Sequence, residues 1–187
     1  MRELSLHILD IVQNSITAGA KEITVEINEN IPDDTLRIRI SDNGCGMDAE
    51  TLARVNGSFA SSRTTRKVGM GIALFRAAAE LSDGGLVLES EKGKGTTTTA
   101  TFRHSSIDRM PMGNISETMM LLAAKAKDFE LKYRHVWNGK TFVFSTDEIK
   151  NVLEGVPIDE PEVLSYIKDY IHENLEELFG GARDEIS

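Results

Sequence analysis

Residues 41–74 decide how the rest of the chain is organised. This stretch opens with Asp42-Asn43-Gly44-Cys45-Gly46-Met47, directly after a segment of alternating apolar residues. It closes with Val68-Gly69-Met70-Gly71-Ile72-Ala73-Leu74, where a polar loop passes into a helical pattern. Closely spaced glycines after a carboxylate let the backbone pass beneath a flat ligand, and glycines at a helix start leave N–H groups free for an anion. The pattern predicts a nucleotide pocket, with the base at Asp42 and the phosphates at residues 69–71.

The composition is that of an ordinary globular protein, with 187 residues, of which 40% are hydrophobic and 27% charged. A net charge of −9 disfavours a nucleic-acid surface, because phosphate backbones need a basic face. The single cysteine excludes an internal disulfide framework. No apolar run approaches the roughly 20 residues that span a bilayer, and the first residues do not resemble a signal peptide. We therefore expect a cytoplasmic protein with neither a nucleic-acid nor a membrane partner.

Hydrophobic periodicity predicts a helix over residues 3–18 and an antiparallel hairpin of strands over 21–28 and 35–40. A short helix over 48–55 with Asp48 as its N-cap is followed by an irregular lid over 56–67 and a helix over 71–81. Strands over 86–90 and 96–102 come next, the second β-branched and expected at an edge or half-exposed. Paired strands with helices between the pairs predict an α+β two-layer sandwich with the helices on one face.

A second unit is predicted beyond a connector at residues 104–113. It comprises a helix over 116–127, strands over 129–136 and 140–144 around Asn138-Gly139, a short helix to residue 153 and a last helix over 161–179. We therefore divide the chain into residues 1–105, the nucleotide-binding domain, and residues 106–187, a C-terminal α+β extension (helix, hairpin, two helices). The extension is expected to bind a partner or to oligomerise.

Four short motifs stand in one order along the first domain. They are Asp10-x-x-x-Asn14, Asp42-x-Gly44-x-Gly46, Gly69-x-Gly71 and Gly93-x-Gly95-Thr96. Together they resemble the ATP-binding (Bergerat) fold of the GHKL superfamily, which includes gyrase, a heat-shock chaperone, histidine kinases and the mismatch-repair MutL proteins. The resemblance covers about residues 4–102. The lid region looks most like that of histidine-kinase and anti-sigma kinase domains.

The resemblance implies ATP and Mg²⁺ as cofactors. Asn14 matches the asparagine that reaches the Mg²⁺ bridging the phosphates. Asp42 matches the carboxylate that accepts a hydrogen bond from the adenine amino group. Thr96 or Thr97 would support the water network beside adenine. The residues expected to contact ATP or its metal are Asn14, Ala18, Asp42, Gly44, Gly46, Met47, Lys67, Val68, Gly69, Met70, Gly71, Ile72, Thr96 and Thr97.

Two departures from the family pattern bear on the reaction. Asp10 stands where MutL-type and anti-sigma members carry a glutamate general base, and aspartate is one methylene shorter. The chain begins almost at the first motif, so the dimerising helices that carry the phosphoacceptor histidine of histidine kinases are expected to be absent. The phosphate acceptor would then be a protein in trans. The cations Arg63, Arg66 and Lys67 are candidates to neutralise the γ-phosphate.

The leading interpretation is an ATP/Mg-binding, histidine-kinase-like signal-transduction protein. It would transfer the γ-phosphoryl group to a protein partner or slowly hydrolyse ATP. A non-catalytic module, whose lid closes on ATP and thereby controls partner binding, is the alternative. A gyrase- or MutL-like clamp on DNA is disfavoured by the acidic composition. A homodimer is compatible with both the leading interpretation and the alternative.

Overall fold

The structure is a computed structural model, and it describes residues 2–57 and 70–180. The helices are α1 (Leu4–Thr17), α2 (Ala49–Gly57), α3 (Met70–Leu81), α4 (Ile115–Ala123), α5 (Thr146–Val152) and α6 (Pro161–Phe179). The strands are β1 (Glu22–Asn30), β2 (Thr35–Asp42), β3 (Gly85–Glu91), β4 (Gly95–Arg103), β5 (Glu130–Trp137) and β6 (Lys140–Ser145). The predicted elements in these ranges are confirmed, although α4 ends four residues earlier than expected. The predicted lid falls mostly outside the described residues.

One six-stranded sheet has the strand order β3-β4-β2-β1-β5-β6. All neighbours are antiparallel except β1 and β5, which run parallel. The predicted α+β two-layer sandwich is confirmed. The expectation of an edge position for β4 is wrong, because β4 lies between β2 and β3, but its side chains do alternate between buried and half-buried.

Strand alternation places the core on one face of the sheet. In β1, Ile23, Val25 and Ile27 are buried, and the residues between them face the opposite side. Helices α1 and α3 pack against the buried face through apolar stripes. The opposite face is polar, and at its centre Glu26 pairs with Arg39 at 3.1 Å and with Arg134 at 3.2 Å. The buried face therefore carries the helices and every element of the site described below.

The C-terminal segment extends the same sheet. Strand β5 pairs with β1 over eight residue pairs, and α4 packs against both α1 and α6. A buried polar cluster joins the two parts, because His104 Nε2 lies 2.9 Å from Glu29 Oε2 and His135 Nε2 lies 2.8 Å from Glu29 Oε1. Tyr133 completes the cluster, its hydroxyl 2.6 Å from His135 Nδ1. The two parts of the chain therefore share one core.

Local signals are confirmed where helices begin and strands turn. Asn138 and Gly139 have φ angles of 46° and 85°, as a tight hairpin turn requires. Asp48 accepts the Thr51 N–H at 2.8 Å at the start of α2, and the bonds from Thr51 lower the pKa of Asp48. Helix α1 has no side-chain cap, and its first N–H groups bond instead to the carbonyls of Pro111 and Met112 in the connector.

Within residues 2–57 and 70–180, every helix is too short or too polar to span a bilayer.

Candidate nucleotide-binding site

Asp42 ends β2, and both of its carboxylate oxygens are held. The Gly44 N–H donates to Oδ1 at 2.9 Å, and the Ser15 hydroxyl donates to Oδ2 at 2.6 Å. Ser15 is buried on α1, so the bond crosses from helix to sheet. Because an ionised carboxylate has about four acceptor positions, Asp42 keeps capacity for a further donor. The protein itself therefore orients the carboxylate.

The loop after Asp42 passes through a narrow gap and needs its glycines. The Cys45 N–H donates to the Ala18 carbonyl at 2.9 Å, and the Gly93 N–H donates to the Cys45 carbonyl at 2.7 Å. Gly46 has a φ of +62°, and a Cβ there would collide with the Glu91 carbonyl. The loop is thus fastened to the end of α1 on one side and to the β3–β4 turn on the other.

We expect Gly46→Ala to destabilise the fold by about 2 kcal/mol more than Gly93→Ala. Both glycines have positive φ angles, so both substitutions carry the left-handed backbone cost of roughly 1–2 kcal/mol. Only at Gly46 does the added carbon meet backbone, because nothing lies within 4 Å of a Cβ at Gly93. Urea denaturation of the two variants measures the difference, and equal unfolding free energies would contradict the close packing of this loop.

A cavity of about 290 Å³ opens beside Asp42. Apolar side chains from α1, β2, α2 and α3 form its walls, and Asp42 and three threonines are among its polar residues. Such a cavity suits a flat ring with a hydrogen-bonding edge. Its lining residues are Ile11, Asn14, Ser15, Thr17, Ala18, Ile40, Asp42, Cys45, Gly46, Met47, Val55, Ile72, Thr96 and Thr98.

Half of the residues expected from the sequence meet at this cavity. Gly44 lies just behind it, where a Cβ would be 2.9 Å from Ala18 Cβ and 3.0 Å from Asp42 Oδ1. Thr97 is not part of the lining, and its hydroxyl lies 3.1 Å from that of Ser41. Lys67, Val68 and Gly69 lie outside the described residues, as do Arg63 and Arg66. The predicted residues that line the cavity are Asn14, Ala18, Asp42, Gly46, Met47, Ile72 and Thr96.

Asp10 lies apart from the cavity lining, at the contact between α1 and α3. A Cβ at Gly71 would fall on Asp10 Oδ2, so the carboxylate sits directly against the first turn of α3. Met70, the neighbouring residue, is 70% exposed. The start of a helix carries free N–H groups and the positive end of its dipole. An anionic side chain therefore already stands where the sequence predicts phosphates.

His7 lies one turn before Asp10 on α1. Its ring stacks on Phe75 of α3, with centroids 5.1 Å apart and planes 14° from parallel. Burial lowers the pKa of His7, and the nearby negative charge of Asp10 opposes that shift. The imidazole is therefore neutral near pH 7.

Asn14 is exposed on the cavity wall, and its amide oxygen is a ligand type that Mg²⁺ accepts. Among residues 2–57 and 70–180, no group of three or more His, Cys, Asp or Glu side chains could hold a metal ion. A magnesium ion at Asn14 therefore fits only when further oxygen ligands come with the ligand itself, as the phosphates of a nucleotide would supply them.

The sequence does not predict the other seven lining residues, and among these Ser15 and Thr98 are the two for which the sequence still carries a signal. Thr98 lines the cavity because it shares a strand face with Thr96, two residues earlier. Ser15 follows Asn14 directly, and only the approach of α1 to the end of β2 reveals its bond to Asp42. Ser15 is the more consequential omission, since it holds one of the two Asp42 oxygens.

We expect Ser15→Ala to weaken the binding of a ligand that pairs with Asp42 by about 10-fold. The reason is that a charge-assisted hydrogen bond contributes roughly 1.5–3 kcal/mol, of which water recovers part. Ser82→Ala is the matched control, because the buried Ser82 hydroxyl donates to the carbonyls of Ala78 and Ala79 at the end of α3, away from the cavity lining. Calorimetric titration with ATP compares the two, and equal affinities would show that Ser15 does not position Asp42.

Residues 2–106 match the family described as histidine kinase-, DNA gyrase B- and HSP90-like ATPase. The heme sensor protein HssS of Staphylococcus saprophyticus is 37% identical over 97 residues, which are 51% of this chain and 20% of that protein. The sensor protein kinase FleS of Pseudomonas aeruginosa is 39% identical over 110 residues, 59% of this chain and 27% of that protein. This chain thus spans about a quarter or less of these curated relatives, and the similarity falls on the ATPase part.

A solved structure, described as the N-terminal domain of a DNA repair protein, has a similar fold. The TM-score is 0.50 at 16% identity, and the alignment covers 76% of this chain and 52% of the other. It extends beyond the segment that matches the family, and therefore includes part of the C-terminal segment. At this identity the likeness concerns the fold alone.

Proposed function

Because this chain belongs to the histidine kinase-, DNA gyrase B- and HSP90-like ATPase family, we propose that it binds ATP with Mg²⁺ beside Asp42. The γ-phosphoryl group is then transferred to a protein partner or released slowly to water. The observation that carries the proposal is the Asp42 carboxylate, held at both oxygens at the edge of an apolar cavity.

The adenine ring is assigned to this cavity. Its amino group would donate to Asp42, with the Gly44 and Gly46 backbone allowing the approach and Met47 packing on the ring. The Thr96 hydroxyl, rather than that of Thr97, is assigned to the water network, because Thr96 lines the cavity. Burial of the flat adenine ring against the apolar cavity walls would contribute binding free energy. The carboxylate would add selectivity for a base with an exocyclic amino group.

The phosphates are assigned to the start of α3. The backbone N–H groups there suit an anion, and Asn14 would hold Mg²⁺ on the same side. Lys67, Val68 and Gly69, with Met70, Gly71 and Ile72, are assigned to the phosphate loop; Arg63, Arg66 and Lys67 are proposed to neutralise the γ-phosphate. Positioning and charge neutralisation carry most of the catalysis in phosphoryl transfer.

Asp10 is proposed as the general base. In hydrolysis, the oxygen of water bonds to the γ-phosphorus as the bond to the bridging oxygen breaks, and the electron pair stays on ADP. The proton of the attacking water passes to the Asp10 carboxylate. With a protein acceptor, a side-chain nucleophile replaces the water and loses its proton in the same way.

The alternative is an ATP-sensing module without chemistry, whose lid closure controls partner binding. The position of Asp10 favours it, since the short carboxylate rests against Gly71 and not against the cavity. In either case we propose that residues 106–187 form the partner-binding or dimerising extension of the ATP-binding domain 1–105. The relatives, a heme sensor protein and a sensor protein kinase, support a protein partner in signal transduction. We further propose that this chain acts in the cytoplasm, without a nucleic-acid or membrane partner.

Calorimetric titration of ATP with Mg²⁺ tests the proposal, followed by phosphate release and phosphate transfer on the same sample. Binding with release or transfer supports the enzyme. Binding without either supports the sensor. Absence of binding would overturn both.

A further inference from the structure

His7 is a buried polar side chain for which the proposed mechanism has no use. It is 2% exposed, and in the described part of the chain neither Nδ1 nor Nε2 has a hydrogen-bond partner. Leaving both polar atoms of a buried imidazole unsatisfied costs free energy, and a leucine would fill the same space without that cost. Stacking on Phe75 fixes the ring but does not satisfy its nitrogens. The imidazole therefore calls for a partner outside the arrangement seen here.

Helix α1 carries its site residues in a line. Ala18 and Ser15 border the cavity beside Asp42, Asn14 follows as the metal residue, and Asp10 and His7 come one and two turns further along. His7 and Asp10 are three residues apart, a spacing that brings side chains on one helix face within reach of each other. The negative charge of Asp10 acts to raise the pKa of His7, against the effect of burial. Along α1, Asp10 and then His7 thus follow Asn14, on the side where the terminal phosphate is proposed to lie.

The contact between Asp10 and Gly71 cannot coexist with phosphates at the first turn of α3. The Asp10 carboxylate stands against that turn. Two anions do not share one helix N-terminus, because each repels the other and both need the same N–H groups. Binding of the phosphates would therefore displace the carboxylate, and His7 is the neighbouring hydrogen-bond donor that lacks an acceptor.

We propose that His7 is the positioning residue for Asp10. When ATP occupies the start of α3, the neutral imidazole donates an N–H to the displaced carboxylate and holds it toward the γ-phosphate. This inference rests on the proposed function and deepens it. The bond compensates for the short reach of aspartate by orienting one carboxylate oxygen while the other accepts the proton of the attacking water. It also gives the buried imidazole its missing partner.

Two substitutions of His7 separate this role from a structural one. His7→Phe keeps an aromatic ring on Phe75 but removes both nitrogens, and His7→Gln keeps an N–H donor. We expect His7→Phe to lower the rate of phosphate release by about 10- to 100-fold, as loss of an orienting partner does elsewhere. The Kd for Mg·ATP should stay within about threefold, and His7→Gln should recover part of the rate. His172→Phe, on the exposed face of α6, is the matched control.

A double-mutant cycle with Asp10→Asn makes the test independent of any general loss of stability. If His7 acts through Asp10, adding His7→Phe to Asp10→Asn lowers the rate no further. Additive losses would overturn the proposal, as would a wild-type rate in His7→Phe. His7→Met takes its place in the cycle if thermal melting shows that His7→Phe does not fold. A wild-type chain that binds ATP without release or transfer would also overturn this role while leaving ATP binding intact. A wild type that does not bind ATP would instead overturn the proposed function.

Discussion

Asp42→Asn is expected to lower the affinity for ATP by about 100-fold or more, which is roughly 3 kcal/mol. Donors converge on this side chain from the Gly44 N–H, the Ser15 hydroxyl and, in the proposed complex, the adenine amino group. Asparagine has only one acceptor oxygen. If that oxygen keeps the Gly44 bond, the amide NH₂ faces the adenine amino group, and two donors meet.

Calorimetric titration with Mg·ATP measures the loss. Asp48→Asn is the control, since Asp48 caps α2, where asparagine is an equally good N-cap, and lies outside the cavity lining. Both variants should melt within a few degrees of wild type, because asparagine has the shape of aspartate. Unchanged affinity in the Asp42→Asn protein would show that adenine binds elsewhere and would overturn its assignment to this cavity.

A chain ending at residue 105 is expected to lose cooperative folding. Strand β1 would lose all eight of its pairs with β5 and become an edge strand. Among the described residues, roughly half of the buried apolar side chains follow residue 106. Glu29 would also lose His135, one of its two imidazole partners. Domains are typically stable by only about 5–15 kcal/mol, so removing this much of the core is expected to abolish the cooperative transition.

Circular dichroism with thermal melting tests the truncation. The comparison is a chain ending at residue 180, which keeps every described helix and strand. A sharp melting transition in the 105-residue chain would show that the ATPase segment folds alone. The C-terminal segment would then be a separable extension that adds strands to the sheet but is not needed for the sheet to fold.

The elements and the binding motifs could be predicted from the sequence because their causes are local. Alternation in β1 and β2 follows from the two-residue period of a strand, and the stripe of α1 from the 3.6-residue period of a helix. Asn138-Gly139 adopts positive φ angles that few other pairs tolerate, and Asp48 caps the helix that follows it. The position of Asp42 at the end of an apolar strand, followed by two glycines, was likewise visible in consecutive residues.

Only the tertiary structure decided which distant segments meet. The parallel pairing of β1 with β5 joins residues more than 100 positions apart, and no periodicity names a strand's partner. The same holds for Ser15 on Asp42, for Asp10 against Gly71 and for His7 on Phe75. A local pattern sets which face of an element is apolar or polar, whereas packing of the whole core selects which faces come together. The motif residues of the site could thus be predicted individually from the sequence, whereas their contacts with each other could not.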